Sequence, residues 1–424
     1  MIPLTPWLTF YLVLFLLGLA VELILTTTNV RHLRTHGHMV PAPFVGYIDE
    51  DRLASITDYT IDTERFDVLT SCVGGLCFLV VILYGLLPVL QGWLEGLHWG
   101  VVGSGLLFFG VLAAIQVLFS IPFDYYKTFI IEQRYGFNTS SVRTWLIDMV
   151  KGMCLGALIG GVLLLAVLWL VEYAGALWWL WAWGVFYAVQ LLLVVFYPTV
   201  IAPWFNDFVP LDDQELEGKV RGIMEAGGLT VEGVFKMDAG KRSRHTNAYF
   251  TGLGKTKRIV LFDTLIDAHP HEEIISILAH EIGHWRKGHV FKNVILVGLF
   301  SLALFYAASV CLEWEGLYAA FGFEHRTSYV GLFLVALWWG AMSPFLSPIG
   351  NWLSRRFERQ ADLFAVKLMS RSRDLKNALR RLAKDNLSNL YPHPVYAWVY
   401  YSHPPLRERI AFLDQVGKAY ATKQ

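Results

Sequence analysis

The chain of 424 residues has zero formal net charge, 55% hydrophobic and 15% aromatic residues, and only 17% charged residues. Soluble domains carry about 25% charged residues, so this much apolar surface excludes an ordinary water-soluble fold and predicts a polytopic α-helical membrane protein. Zero net charge also removes electrostatic steering of nucleic acid as a basis for function. The four cysteines, Cys72, Cys77, Cys154 and Cys311, sit in apolar runs without a CxxC spacing, so they read as small hydrophobes rather than disulfides or metal ligands.

In chain order, apolar runs long enough for about 30 Å of hydrocarbon occupy residues 7–25, 68–90, 101–122, 154–171, 177–201, 291–312 and 330–352. The first follows no basic n-region, so a retained helix is expected rather than a cleaved signal. Glu22, Gln116, Glu172 and Gln190 lie within or beside spans, where polar groups usually face a bundle interior or an aqueous cavity. Arg31, Arg34, Arg52 and Arg65 crowd the first connection, and Lys127, Arg134 and Arg143 the third. The second and fourth have no lysine or arginine, the long fifth is rich in both, the sixth holds only Arg326, and the tail is basic again. By the positive-inside rule the N-terminus is outside and the C-terminus cytoplasmic.

The fifth connection is the informative one. A short amphipathic helix is expected over 212–226 and a strand over 234–237. A hairpin should then join 247–251 to 258–262 through the turn Gly252-Leu253-Gly254-Lys255. A helix over 270–287 follows, with Glu272 and Glu273 at its positive end, Arg286 and Lys287 at its negative end and Gly288 to close it. It carries His280-Glu281-Ile282-Gly283-His284. Two imidazoles at i and i+4 share a helix face about 5–6 Å apart and can hold one metal ion, with Glu281 placed as general base. The site should therefore face the cytoplasm. His289, five residues after His284, is expected to point away from the ligand face.

A third ligand follows the last span. Glu358 and Asp362 stand at i and i+4 on a helix running to Met369, so one carboxylate can complete a His₂Glu site while the other orients a ligand histidine. These segments, with Phe364-Ala365 and with Ser402-His403-Pro404-Pro405 and Arg409, resemble the type 1 CAAX prenyl endopeptidases. The resemblance extends to Ile131-Glu132-Gln133-Arg134-Tyr135-Gly136-Phe137-Asn138, to Pro203-Trp204-Phe205-Asn206, to Asn247-Ala248-Tyr249-Phe250-Thr251-Gly252 and to Arg258-Ile259-Val260-Leu261-Phe262-Asp263-Thr264-Leu265.

It implies an integral-membrane zinc metalloendopeptidase whose seven transmembrane helices enclose a chamber, with a small α+β zinc-metalloprotease domain. One Zn2+ per chain would be held by His280, His284 and Glu358, with Glu281 as base and Asp362 behind the ligands. It also implies that Asn247 holds substrate backbone and that His403 and Arg409 contribute oxyanion or substrate contacts. The expected division is a membrane domain over 1–202 and a metallopeptidase domain over 203–424. Partners would be a peptide or lipidated peptide and membrane lipids, with no oligomer required. Two other readings stand beside it: a bacterial quality-control protease for membrane proteins, and a transporter or scaffold with a structural zinc. The short sixth connection and a tail without a dilysine signal favour a bacterial inner membrane over the endoplasmic reticulum.

Overall fold

The computed structural model describes residues 2–252 and 256–421. The turn expected at Gly252-Leu253-Gly254-Lys255 and the extreme tail fall mostly outside these described residues. Among them, seven helices are long and apolar enough to cross a membrane. The chain opens with α1 (Pro6–His36), α2 (Glu50–Leu83), the short α3 (Leu86–Glu95), α4 (Gly100–Tyr126), α5 (Val142–Tyr173) and α6 (Trp178–Phe196). Next come α7 (Gln214–Ala226), α8 (Asp263–Ala268) and the histidine helix α9 (His271–Arg286). The last two spans, α10 (His289–Cys311) and α12 (Ser328–Met369), flank α11 (Glu315–Ala320). The tail forms α13 (Arg373–Asp385), α14 (Pro394–Tyr400) and α15 (Leu406–Ala421).

Helix starts are set by local chemistry. Side-chain oxygens of Thr5, Asp49, Ser141 and Asp213 accept from the backbone amides of Leu8, Arg52, Thr144 and Leu216, satisfying donors that the first turn leaves unpaired. The spans outrun their apolar windows, because hydropathy measures the hydrocarbon while the helix continues wherever its backbone bonds and packing persist. Arg31 and Arg34 therefore ride on α1, and Arg52 and Arg65 on α2, rather than on a loop. Conversely, Gly85, at φ +68°, splits the second apolar run into α2 and α3.

Four strands, β1 (Phe208–Pro210), β2 (Thr230–Met237), β3 (Ala248–Thr251) and β4 (Thr256–Phe262), form one sheet in the order β1-β2-β4-β3. β2 runs parallel to β4, and β3 antiparallel to it, with Ala248 opposite Leu261. The predicted strand and hairpin arms are present; β1, at three residues, is too short to show a period. β3 is an edge strand, and α9 packs beside it. Leu216, Val220, Ile259, Leu261, Ile274 and Ile282 bury α7 and α9 against the sheet.

The sheet is tied to the membrane helices. Phe137 accepts from the Arg244 amide at 3.0 Å, Arg242 pairs with Asp148 at 2.7 Å, and His245 Nε2 lies 3.4 Å from Glu132 Oε2. A shared core of Phe44, Leu53, Ala279, Ala365, Leu379 and Leu413 joins the start of α2 to α9, α12 and the tail. Between α1, α2, α12 and α14 lies a cavity of about 390 Å³, lined among others by Phe15, Glu22, Glu64 and Tyr396. Glu22 thus faces a cavity as expected and accepts from Ser71 at 2.7 Å. Gln190 Oε1 is buried, Gln116 is exposed, and Glu172 accepts from Ser328 where α5 meets the start of α12.

Candidate metal centre

Two helices build the centre. α9 begins after Pro270, and its apolar face (Ile274, Ile275, Leu278, Ile282) is buried, which turns His280 and His284 together toward α12. α12 brings Glu358 and Asp362 to the same crossing, both buried. The crossing is close because residue 283 has no side chain: a Cβ there would meet Ala361 Cα at 2.8 Å and Ala361 O at 2.9 Å. The motif's intervening positions are often interchangeable on spacing grounds, so the sequence reading missed Gly283.

One ligand atom from each of His280, His284 and Glu358 lies within 4.8 Å of the others. His280 Nε2 and His284 Nε2 are 3.1 Å apart and approach Glu358 Oε2 and Oε1 at 3.4 and 3.2 Å. Glu358 Oε2 is buried and has no hydrogen-bond partner among the described residues. A buried carboxylate oxygen with ion-pair neighbours but no hydrogen bond is incompletely satisfied, and a divalent cation would satisfy it. Burial and the Arg409 guanidinium push the His280 ring down, yet hydrogen bonds to Asp362 and Glu358, with the Asp362 charge, outweigh them and raise it to about 9. The donors, two imidazoles and a carboxylate, match a catalytic zinc set, so the residues present fit the group.

Behind the ligands, Asp362 Oδ1 lies 2.8 Å from His280 Nδ1. Arg409 places Nε and Nη2 on the two Asp362 oxygens at 2.8 and 2.7 Å, while Nη1 is 3.5 Å from Glu358 Oε2. Two of its three nitrogens are thus committed to Asp362, so its main contact is with the ligand support. His403 Nε2 lies 3.3 Å from Glu358 Oε1, with its side chain 62% exposed and Ser402 Oγ 3.0 Å from Nδ1. Asn351 donates to the Val399 carbonyl at 2.7 Å and Arg355 to that of Tyr401, so α12 also holds the segment leading into His403. Those two residues looked like ordinary helix-surface polar groups in the sequence. Glu281 is partly exposed beside the histidines. Asn247 is exposed immediately before β3, its Oδ1 accepting from the Ala248 amide at 2.8 Å.

One expectation is reversed. His289 does not point away: it is buried, with Nδ1 3.2 Å from His284 Nδ1. Helical spacing stops applying because α9 ends at Arg286 and Gly288, at φ +66°, turns the chain before His289 starts α10.

Residues 29–207 match a family model described as CAAX prenyl protease N-terminal, five membrane helices, and residues 210–416 match Peptidase family M48. A CAAX prenyl protease 1 homolog of Arabidopsis thaliana is 32% identical over 395 residues, covering 89% of this chain and 91% of the relative. The chain belongs to the CAAX prenyl protease 1 family. The CAAX prenyl protease 1 of Saccharomyces cerevisiae is 36% identical over 335 residues, covering 75% of this chain and 73% of its own length. The crystal structure of S. mikatae Ste24p superposes with a TM-score of 0.91 at 30% identity, covering 97% of this chain and all of that one.

Membership makes the chain an integral-membrane zinc metalloendopeptidase, as the motifs imply, and overturns the transporter or scaffold reading. The preference for a bacterial inner membrane, and with it the bacterial quality-control reading, loses its support: these relatives come from a plant and from yeasts. A short connection and the letters of a tail are too little sequence to identify a membrane.

Proposed function

We propose that the chain hydrolyses peptide bonds of membrane-associated substrates, prenylated CAAX-type C-termini among them, at one zinc ion per chain held by His280, His284 and Glu358. The observation that carries this reading is the convergence of two imidazole nitrogens on a buried Glu358 carboxylate, one oxygen of which has no hydrogen bond among the described residues. When bound, zinc supplies Lewis-acid polarisation of a carbonyl and acidification of water. Glu281 takes the proton of the attacking water and returns it to the leaving amine. His403 donates to the developing oxyanion from the exposed side. Asn247 and the free edge of β3 hold the peptide extended by strand addition, which fixes its orientation. Asp362 and Arg409 keep the His280 ring in place. The excess of Lys and Arg in the odd connections and the tail favours a centre facing the cytoplasm.

The relatives' name, CAAX prenyl protease 1, supports the lipidated substrate class. The test is a farnesylated CAAX reporter and its unlipidated twin, presented in proteoliposomes to the wild type, Glu281→Gln and Glu358→Ala. Glu281→Gln should keep zinc while cleavage falls by about 10²–10⁴-fold; Glu358→Ala should lose zinc. Wild-type cleavage by Glu281→Gln overturns the mechanism, and equal cleavage of both reporters overturns the preference for a lipid.

A further inference from the structure

His289 is the buried titratable group nearest the centre that the mechanism leaves unused. It is 2% exposed, and its ring stacks on Phe357 with centroids 4.2 Å apart and planes within 10°. Its Nδ1 faces His284 Nδ1 at 3.2 Å, and its Nε2 faces Gln360 Oε1 at 3.1 Å. Gln360 lies on α12 between Glu358 and Asp362, so three consecutive even positions of that helix touch the centre or its surroundings.

The hydrogen-bond directions form a closed argument. An amide oxygen can only accept, so His289 Nε2 carries the proton and donates to Gln360. In a neutral ring His289 Nδ1 then holds a lone pair, which accepts from His284 Nδ1–H. That leaves the lone pair of His284 on Nε2, the atom facing Glu358 and His280. Reversing the chain, with the Gln360 amide nitrogen donating, would put a proton on His284 Nε2 and block ligation.

We propose that His289 and Gln360 are positioning residues that fix the tautomer and ring plane of His284 for metal binding through Nε2. They do for His284 what Asp362 and Arg409 do for His280. The two ligands are thereby oriented unequally, one by a charged pair and one by a neutral relay entering through the Gly288 turn. This inference rests on the assignment of His284 as a ligand.

The test measures zinc affinity of the full chain in detergent by competition with a colorimetric chelator, together with the cobalt(II) absorption spectrum of each variant. Removing a partner that orients a metal-bound histidine weakens metal binding by about 10–100-fold. His289→Phe keeps the stack on Phe357 but removes the acceptor, and should weaken zinc binding by that amount and alter the cobalt spectrum. Gln360→Leu should act in the same direction from outside the histidine pair. Gln360→Glu, which can only accept, should stay within about threefold of wild type. Wild-type zinc affinity and spectrum in both His289→Phe and Gln360→Leu would overturn the relay. Equal weakening by Gln360→Glu and Gln360→Leu would overturn it too, by making the position a matter of packing. Absence of stoichiometric zinc from the wild type would instead overturn the metal assignment itself.

Discussion

The proposed metal side of the centre and its proposed substrate side are built differently. Glu358 and Asp362 are 4% and 0% exposed, and each meets a positively charged or imidazole group. His403, by contrast, has a side chain 62% exposed on a loop, and Asn247 stands at an open sheet edge. The proposed ligand geometry is therefore set by folding, whereas the proposed substrate contacts lie open to a peptide. Substitutions on the first side should act on stability and metal together; those on the second should act on turnover alone.

The largest effect is expected at Asp362. Asp362→Ala strands the buried Arg409 guanidinium, and removing one partner of a buried pair costs about 3–5 kcal/mol. Unfolding in detergent should show a loss of that size, and adding Arg409→Met should recover part of it. A mild loss unaffected by Arg409→Met would break the contrast, since the ligand support would then not be a coupled pair.

His403→Ala probes the other side. Loss of one oxyanion donor costs about 10²–10³-fold in kcat. Zinc affinity and thermal stability should stay at wild-type values, because the ring is exposed. If zinc affinity fell with kcat, His403 would belong with the metal side.

Gly283→Ala sets two small effects against each other. Alanine improves helix propensity by about 0.8–1 kcal/mol, but its Cβ would lie 2.8 Å from a backbone atom of α12, which cannot swing aside. Overpacking costs about 1–3 kcal/mol, so the net sign should be destabilising, with zinc affinity weakened as Glu358 is pushed from the histidines. A stabilised variant would show the crossing to be looser than the ligand geometry requires.

These three sites differ in how visible they are in the sequence. The i,i+4 spacing marks His280 with His284 and Glu358 with Asp362 as two pairs, the family resemblance joins the pairs into one site, and apolar length marks the spans. Helical spacing says nothing once a helix ends, which is why His289 was misdirected by the turn at Gly288. Nor does it reveal which glycine sits at a crossing, or that Asn29 of α1 accepts the His393 amide and so docks the tail that carries His403. Those contacts join residues far apart in the chain, 364 positions for Asn29 and His393, and have no local signature. Membership in a family carries such contacts implicitly; residue patterns do not.

The smallest expected effect lies at the far end of α9, where Glu273 is buried between His269 at 3.1 Å and Arg381 at 2.9 Å. Burial pushes this carboxyl up, but its bonds to His269 and Arg381 outweigh burial and hold it below the ordinary value of 4.5. A carboxylate depressed in the folded state contributes stability that is fully present above its unfolded value and lost as pH falls through the folded one. Wild-type unfolding in detergent should therefore show a stability loss below about pH 4.5 that Glu273→Gln lacks in part, with the two slopes converging at neutral pH. His269 and Arg381 sit on segments outside the ligand crossing, so zinc affinity at pH 7 should be unchanged by Glu273→Gln. If it weakened, α9 would be positioned as a rod clamped at both ends, and the metal side would extend along the whole helix rather than ending at the crossing with α12.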